Sequence, residues 1–266
     1  MRYRAVISYF GARYVGWQRQ LNGLSVQEVL EKALEKTFGT PTQATASGRT
    51  DAGVHAMGQV VHFDADTSIP VDKIPFAVNT ELPDDVSMLY CEEAEPDFNA
   101  RFNAKRKTYR YSLYLSKHLL PMLEQTHEHI VVPLDLVAMT EAAKVIEGEH
   151  DFKCFEASGS AVKSTVRTVY EVVIDVRPLD RTNPTKTDIL NGSFDENKAF
   201  DCEINISVTG NGFLYNMVRI IAGTLVYVGL HKLTVQDVQK IIETGDRKMA
   251  GKTLSAKGLC LMSVNY

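Results

Sequence analysis

The chain has 266 residues, 44% of them hydrophobic and 23% charged, which is apolar enough for one large domain or two modest ones and typical of a water-soluble enzyme. Its four cysteines, Cys91, Cys154, Cys202 and Cys260, stand far apart with no Cys-x-x-Cys pair, which speaks against a disulfide framework or zinc site and for reduced thiols in a cytoplasmic protein. A formal net charge of −4 does not announce a nucleic-acid ligand, but phosphate contact needs only a local basic surface, so that class stays open.

The first nine residues carry no long apolar run and no small-residue cleavage site, so no signal peptide is expected. Instead Tyr3, Ala5, Ile7 and Tyr9 alternate with Arg4, Val6 and Ser8, the period of a strand with one buried face. A helix follows. Ser25 and Glu28 have capping-box spacing, Val26, Val29, Leu30, Ala33, Leu34 and Phe38 recur at helical intervals, and Gly39 ends the run. Residues Gly48 to Ala56 read as a loop that feeds a strand over Gly58–Asp64, a firm mount for any side chain on the loop.

Acids collect at Asp84-Asp85 and Glu92-Glu93-Ala94-Glu95, whereas residues 101–110 hold Arg101, Lys105, Arg106, Lys107 and Arg110 and no acid. By itself that cluster fits a solvated strand entry. Interleaved Phe102, Tyr109 and Tyr111 favour an RNA-facing surface, because aromatics beside cations stack bases. Beyond it, Tyr109, Tyr111, Leu113 and Leu115 alternate as a strand, and Leu136–Glu147 reads as a helix stopped by Gly148. Two alternating strands follow, Tyr170–Val176 and Phe200–Val208, joined by a long polar hairpin loop over residues 178–199. Helices are expected from Phe213 to Tyr227 and from Thr234 through Ile242, then a buried strand from Leu259 to Val264. The most apolar stretch, Gly212–Leu230, contains Asn216 and Arg219 and is too polar to span a bilayer, so no membrane association is expected. Strands with interspersed helices and few clean crossovers indicate an α+β fold with antiparallel sheets. The division is expected near Arg101 to Thr108, giving halves of 1–104 and 105–266.

Gly48-Arg49-Thr50-Asp51-Ala52-Gly53-Val54-His55-Ala56 carries a single carboxylate on a Gly-bounded loop. No second acid lies within it, so paired-carboxylate glycosidase chemistry is not met locally, and no phosphate-loop or metal-ligand spacing is present. A lone loop Asp ordinarily closes a turn or caps a helix; here it can also serve as a nucleophile beside a bound ring. Arg219 stands among apolar helix neighbours, where its stem packs inside with the head in water or its guanidinium meets a buried partner. Tyr109 suits an inward strand aromatic, Leu259 a core strand position, and His55 a satisfied structural histidine.

The nine-residue string resembles the signature of the pseudouridine synthases, in particular the TruA family of tRNA pseudouridine synthases. The similarity continues through Gly16-Trp17-Gln18, Asn79, Leu82-Pro83-Asp84-Asp85, Ala100-Arg101-Phe102-Asn103-Ala104, Tyr109-Arg110-Tyr111, His150-Asp151-Phe152, Arg167-Thr168, Gly212-Phe213-Leu214, Met217-Val218-Arg219 and Gly258-Leu259, nearly the whole chain in order. It implies two ferredoxin-like, RNA-recognition-like halves whose mostly antiparallel sheets join around a central cleft. It also implies isomerisation of uridine to pseudouridine in the anticodon stem-loop of tRNAs, at tRNA positions 38, 39 and 40, by a homodimer using base flipping. That chemistry breaks and remakes a glycosidic bond without redox change or phosphoryl transfer, so no cofactor and no metal is expected.

By the same resemblance Asp51 is the nucleophile, Arg219 its ion-pair partner, and Tyr109 stacks on the target base with its hydroxyl near the C5 proton. Leu259 packs against the base, and Arg49 enters the space the flipped nucleotide leaves. Arg101, Lys105, Arg106, Lys107 and His55 are expected to contact RNA. Three rivals are a synthase of the same fold acting on another RNA or tRNA position, a silent RNA binder, and an Asp-dependent glycosidase acting on free nucleosides. The intact Asp51, Tyr109 and Arg219 argue against the second, and the basic stretch argues against the third.

Overall fold

Alternation along Arg2–Tyr9 produces the first strand, β1, with Tyr3, Ala5, Ile7 and Tyr9 buried and the residues between them half-buried. The computed structural model describes residues 1–159, 162–179 and 201–266. In chain order the other elements are α1 (Val26–Phe38), β2 (Thr45–Ala46), β3 (His55–Asp64), α2 (Ile74–Asn79), β4 (Val86–Glu93), β5 (Arg106–Leu115) and β6 (Glu128–Ile130). They are followed by α3 (Leu136–Ile146), β7 (Gly148–Asp151), β8 (Val166–Pro178), β9 (Cys202–Gly210), α4 (Met217–Gly229), α5 (Val235–Thr244) and β10 (Leu259–Asn265). The chain divides into two units, Met1–Thr108 with Cys260–Tyr266, and Tyr109–Leu259. This grouping differs from the expected halves of 1–104 and 105–266 at both ends. Residues 105–108 stay with the first unit, and the last strand returns to it because Cys260 and Leu261 pair in parallel with His55 and Ala56 of β3.

In the first unit β1 lies between β3 and β4, antiparallel to both, and β2 adds to β3. Helix α1 covers the face that β1 buries: Phe38 sits 5.9 Å from Phe63 of β3, which stacks on Tyr3 at 5.6 Å. Val26, Leu30, Ala33 and Leu34 are buried beneath the helix, each leucine contributing about 1.5–3 kcal/mol. The Ser25 hydroxyl accepts the Glu28 N–H at 3.2 Å, and Gly39 closes the C-terminus with an N–H bond to Glu35. Only one arm of the expected capping box is described, because the Glu28 carboxylate accepts from Lys32 instead. At the other edge, the Asn79 side chain donates to Met88 O and accepts from Met88 N–H, which ties α2 to β4.

The second unit orders its strands β5-β9-β8-β7, with β6 parallel to β5. Strands β8 and β9 pair antiparallel from Val169↔Gly210 to Pro178↔Cys202. Of the long loop expected over residues 178–199, residues 180–199 lie outside the described residues, as does Phe200 of the strand expected after it. Helix α3, capped by Asp135 on the Ala138 N–H, packs on β8, α4 and α5. Helix α5 has a complete capping box from Thr234 and Asp237. Helix α4 begins four residues later than the expected Phe213, because Asn216 adopts the left-handed conformation at φ 61° and breaks the run. Among the described residues no helix is long and apolar enough to cross a membrane.

Candidate active site

Asp51 lies on the connection into β3, half-buried, between buried Thr50 and exposed Ala52. Its backbone is held from several directions. The Trp17 N–H donates to Thr50 O at 3.0 Å, the Gly53 N–H to Tyr14 O at 3.3 Å, and the Val54 N–H closes a turn on Asp51 O at 3.1 Å. That turn needs a left-handed residue in its third position, and Gly53 supplies it at φ 77°. Gly16 is similarly forced: its φ is 106°, and a Cβ there would stand 2.6 Å from Thr50 O.

Side chains complete the frame. The hydroxyls of Thr50 and Tyr9 share a hydrogen bond at 2.7 Å in a buried setting. Gln59, fully buried on β3, accepts from the Ser47 hydroxyl at 2.7 Å and donates to Gly48 O at 2.9 Å and to the Tyr9 hydroxyl at 3.4 Å. Desolvation raises the Tyr9 phenol far above its usual range, so it remains a neutral hydroxyl at any working pH. A buried polar chain with its partners in place makes the loop stiff, which is what a catalytic carboxylate needs.

His55 does not present itself as a surface RNA contact. It is buried, accepts the Gly11 N–H on Nδ1 at 3.0 Å and stacks on Phe10 at 4.7 Å, so it belongs to the loop's frame. Arg49 is exposed, and its Nε donates to Gln18 Oε1 at 3.1 Å. Gln18 is anchored in turn by its bond to Gln27 of α1. Arg101, Lys105 and Arg106 are exposed, with the Arg101 guanidinium 5.7 Å from the ring of exposed Phe102. Lys107 differs from its neighbours: it is half-buried and donates to Ser47 O at 2.6 Å.

In the second unit, Tyr109 at the start of β5 is buried, its ring edge-on to Phe213 at 5.3 Å and 86°. Arg219, in the first turn of α4, is half-buried. Its Nε donates to Leu254 O at 2.7 Å and a terminal nitrogen donates to Asn216 Oδ1 at 2.6 Å. Leu259 is buried at the start of β10, and the preceding Gly258 lies against Tyr111, where a Cβ would come within 2.7 Å of the ring. The guanidinium is therefore fixed on two sides before any partner is considered.

The sequence did not reveal the supporting roles of Tyr9, Gln59, Gln18 and Asn216. Gln59 and Tyr9 looked like ordinary strand positions. A polar Gln in an apolar strand run (Gly58 to Phe63) was the available signal, since a buried amide demands partners. Chemically, a stiffly mounted half-buried carboxylate on one unit suits a nucleophile, and on the other a braced guanidinium suits a counter-charge and a buried Tyr a stacking surface.

Residues 5–103 and 142–266 match the sequence profile of a family described as tRNA pseudouridine synthase. A tRNA pseudouridine synthase A from Ruminiclostridium cellulolyticum is 44% identical over 263 residues, 99% of this chain and 98% of the relative. Its namesakes from Thermoanaerobacter sp. strain X514 and Bacillus velezensis are each 42% identical, covering 98% and 100% of this chain and 98% and 99% of theirs. A solved Cbf5-Nop10-Gar1 complex aligns with 97% of this chain and 48% of its own at 13% identity and a TM-score of 0.36, too low to bear on the fold.

Proposed function

This chain belongs to the tRNA pseudouridine synthase family, and we propose that it isomerises uridine to pseudouridine in the anticodon stem-loop of tRNAs, at tRNA positions 38, 39 and 40, with Asp51 as nucleophile. The observation that carries the assignment of Asp51 is its mounting. Ser47, Gly48, Thr50, Gly53 and Val54 are clamped by buried or backbone hydrogen bonds while the Asp51 side chain stays half-buried. A reacting carboxylate must be held in place yet remain reachable, and this loop meets both conditions.

In this reading Arg219, braced by Asn216 and Leu254, pairs with Asp51 and keeps it ionised and oriented. Tyr109 stacks on the uracil, and Leu259 packs beside it. Arg49, exposed and steered by Gln18, fills the gap left when the target nucleotide flips, offsetting an unstacking cost of about a few kcal/mol. Arg101, Lys105 and Arg106 take backbone phosphates, reading RNA shape rather than sequence, as acting at three neighbouring positions requires. The enzyme works as a cytoplasmic homodimer that needs no cofactor. The test is pseudouridine mapping on a panel of unmodified tRNA transcripts. Conversion confined to the anticodon stem-loop is expected. Conversion elsewhere in tRNA would keep the chemistry and discard the substrate site.

A further inference from the structure

We infer that Lys107 is a positioning residue that holds the Asp51 loop in place from below, and that it does not serve as one of the phosphate contacts of the basic segment it belongs to. The inference rests on the synthase reading above.

Residues 101–107 look alike in sequence but not in environment. Arg101, Lys105 and Arg106 are exposed, whereas Lys107 turns inward and its ammonium donates to Ser47 O at 2.6 Å. Ser47 is fully buried and has each of its polar groups engaged. Its N–H donates to Val60 O at 2.8 Å, its hydroxyl to Gln59 at 2.7 Å, and its carbonyl accepts from Lys107. The next residue adds a steric argument. A Cβ on Gly48 would stand 3.1 Å from the Lys107 Nζ, so the loop passes close over the ammonium and a side chain there would push it by a few tenths of an ångström. Burial, then the neighbouring Arg101 charge, pushes the Lys107 ammonium down to about 8. A lysine reaching into water for a phosphate would carry no such desolvation. Gln59 and Lys107 together fix residues 47 and 48 from two sides, leaving Arg49 and Asp51 to project from a pinned base.

Lys107→Met keeps the stem's length and removes the donor and its charge, and Lys107→Arg restores both. Measured on an unmodified tRNA transcript, Lys107→Met should lower kcat about tenfold or more while KM stays within about twofold, since a small misplacement of a reacting group costs one to two orders of magnitude. Lys107→Arg should recover most of kcat, and the salt dependence of tRNA binding should match wild type in both. The inference fails if Lys107→Met binds tRNA more weakly, with a salt slope shallower by about one, yet reacts at the wild-type rate at saturating enzyme. Should Lys107→Met not fold, Gly48→Ala crowds the ammonium without removing its charge. A kcat loss at unchanged tRNA affinity supports the positioning role, and unchanged kcat overturns it. A wild-type enzyme that makes no pseudouridine would instead defeat the synthase reading itself.

Discussion

The Asp51 loop and the basic segment 99–107 sit in the same unit and are both loop-like in sequence, but they are built to opposite specifications. Under the loop lie Tyr9, Ser47, Thr50 and Gln59, all buried and mutually hydrogen-bonded. The basic segment is anchored mainly through its backbone. The Asn99 and Asn103 side chains close a local turn, the Ala100 N–H donates to His62 Nδ1 at 3.1 Å, and the Lys105 N–H donates to Asn265 O at 2.8 Å. Arg101, Lys105 and Arg106 are exposed, and Lys107 alone turns inward. Chemistry at a carboxylate demands position to a fraction of an ångström, whereas phosphate attraction falls off slowly and tolerates side-chain freedom. On the proposed function, one region serves rate and the other affinity.

Changes beneath the loop should therefore cut the rate constant, and the sharpest of them is Gly16→Ala. At φ 106°, with Thr50 O only 2.6 Å from the new methyl, the substitution must move the loop backbone. Single-turnover conversion is expected to fall about a hundredfold, with tRNA affinity little changed. A rate within twofold of wild type would mean the loop's position is not under tight control.

Tyr9→Phe is gentler. It removes the hydroxyl shared with Thr50 and Gln59 and leaves buried polar atoms short of a partner, for a loss of about 1–3 kcal/mol in thermal or urea unfolding. A several-fold drop in kcat should accompany it. A stability loss with kcat intact would show that the network supports the fold without aiming the carboxylate.

On the other side of the comparison, Lys105→Ala or Arg106→Ala should weaken tRNA binding several-fold and reduce the salt slope by about one each, with single-turnover rates at saturating enzyme unaltered. If those rates collapsed instead, the division between rate and affinity would be wrong for these residues.

The smallest effect concerns pH. Burial, followed by the Arg2 charge, lowers the His62 pKa below its ordinary value of 6.5, so the folded state favours the neutral ring that accepts from Ala100. A depressed histidine contributes stability that is present above its unfolded pKa and is lost as pH falls from about 6.5 towards the folded value. The melting temperature should drop modestly across that window, and His62→Gln should flatten the drop. A melting temperature that is flat there in wild type would remove His62 from the account.

Much of this architecture was legible in the sequence where local rules act alone. The alternation of β1, the Ser25 cap and Gly39 stop of α1, and the Asp51 loop leading into β3 all follow from residues close in the chain. What escaped depends on distant partners or broken periods. In β4 the register shifts opposite Val6 and Ile7, which pair with Tyr90 and Met88 and leave Leu89 as an extra residue, so buried positions fall out of phase. Helix α2 is only six residues long with a proline in its first turn, too short for a periodic signal. The roles of Gln59, Asn216 and Lys107 were hidden for a related reason. Their hydrogen bonds reach residues that the fold brings near, or depend on Asn216 being left-handed. Composition marks Lys107 as one more surface cation, and only its burial separates it from Arg106.

The most direct test of Asp51 as the nucleophile compares wild type, Asp51→Asn and Asp51→Ala in single-turnover pseudouridine formation on one unmodified tRNA, with tRNA affinity measured alongside. Loss of at least about a thousandfold in rate for both variants, with affinity near wild type, is the predicted result. Substantial conversion by Asp51→Asn, or a loss explained wholly by weaker tRNA binding, would contradict it.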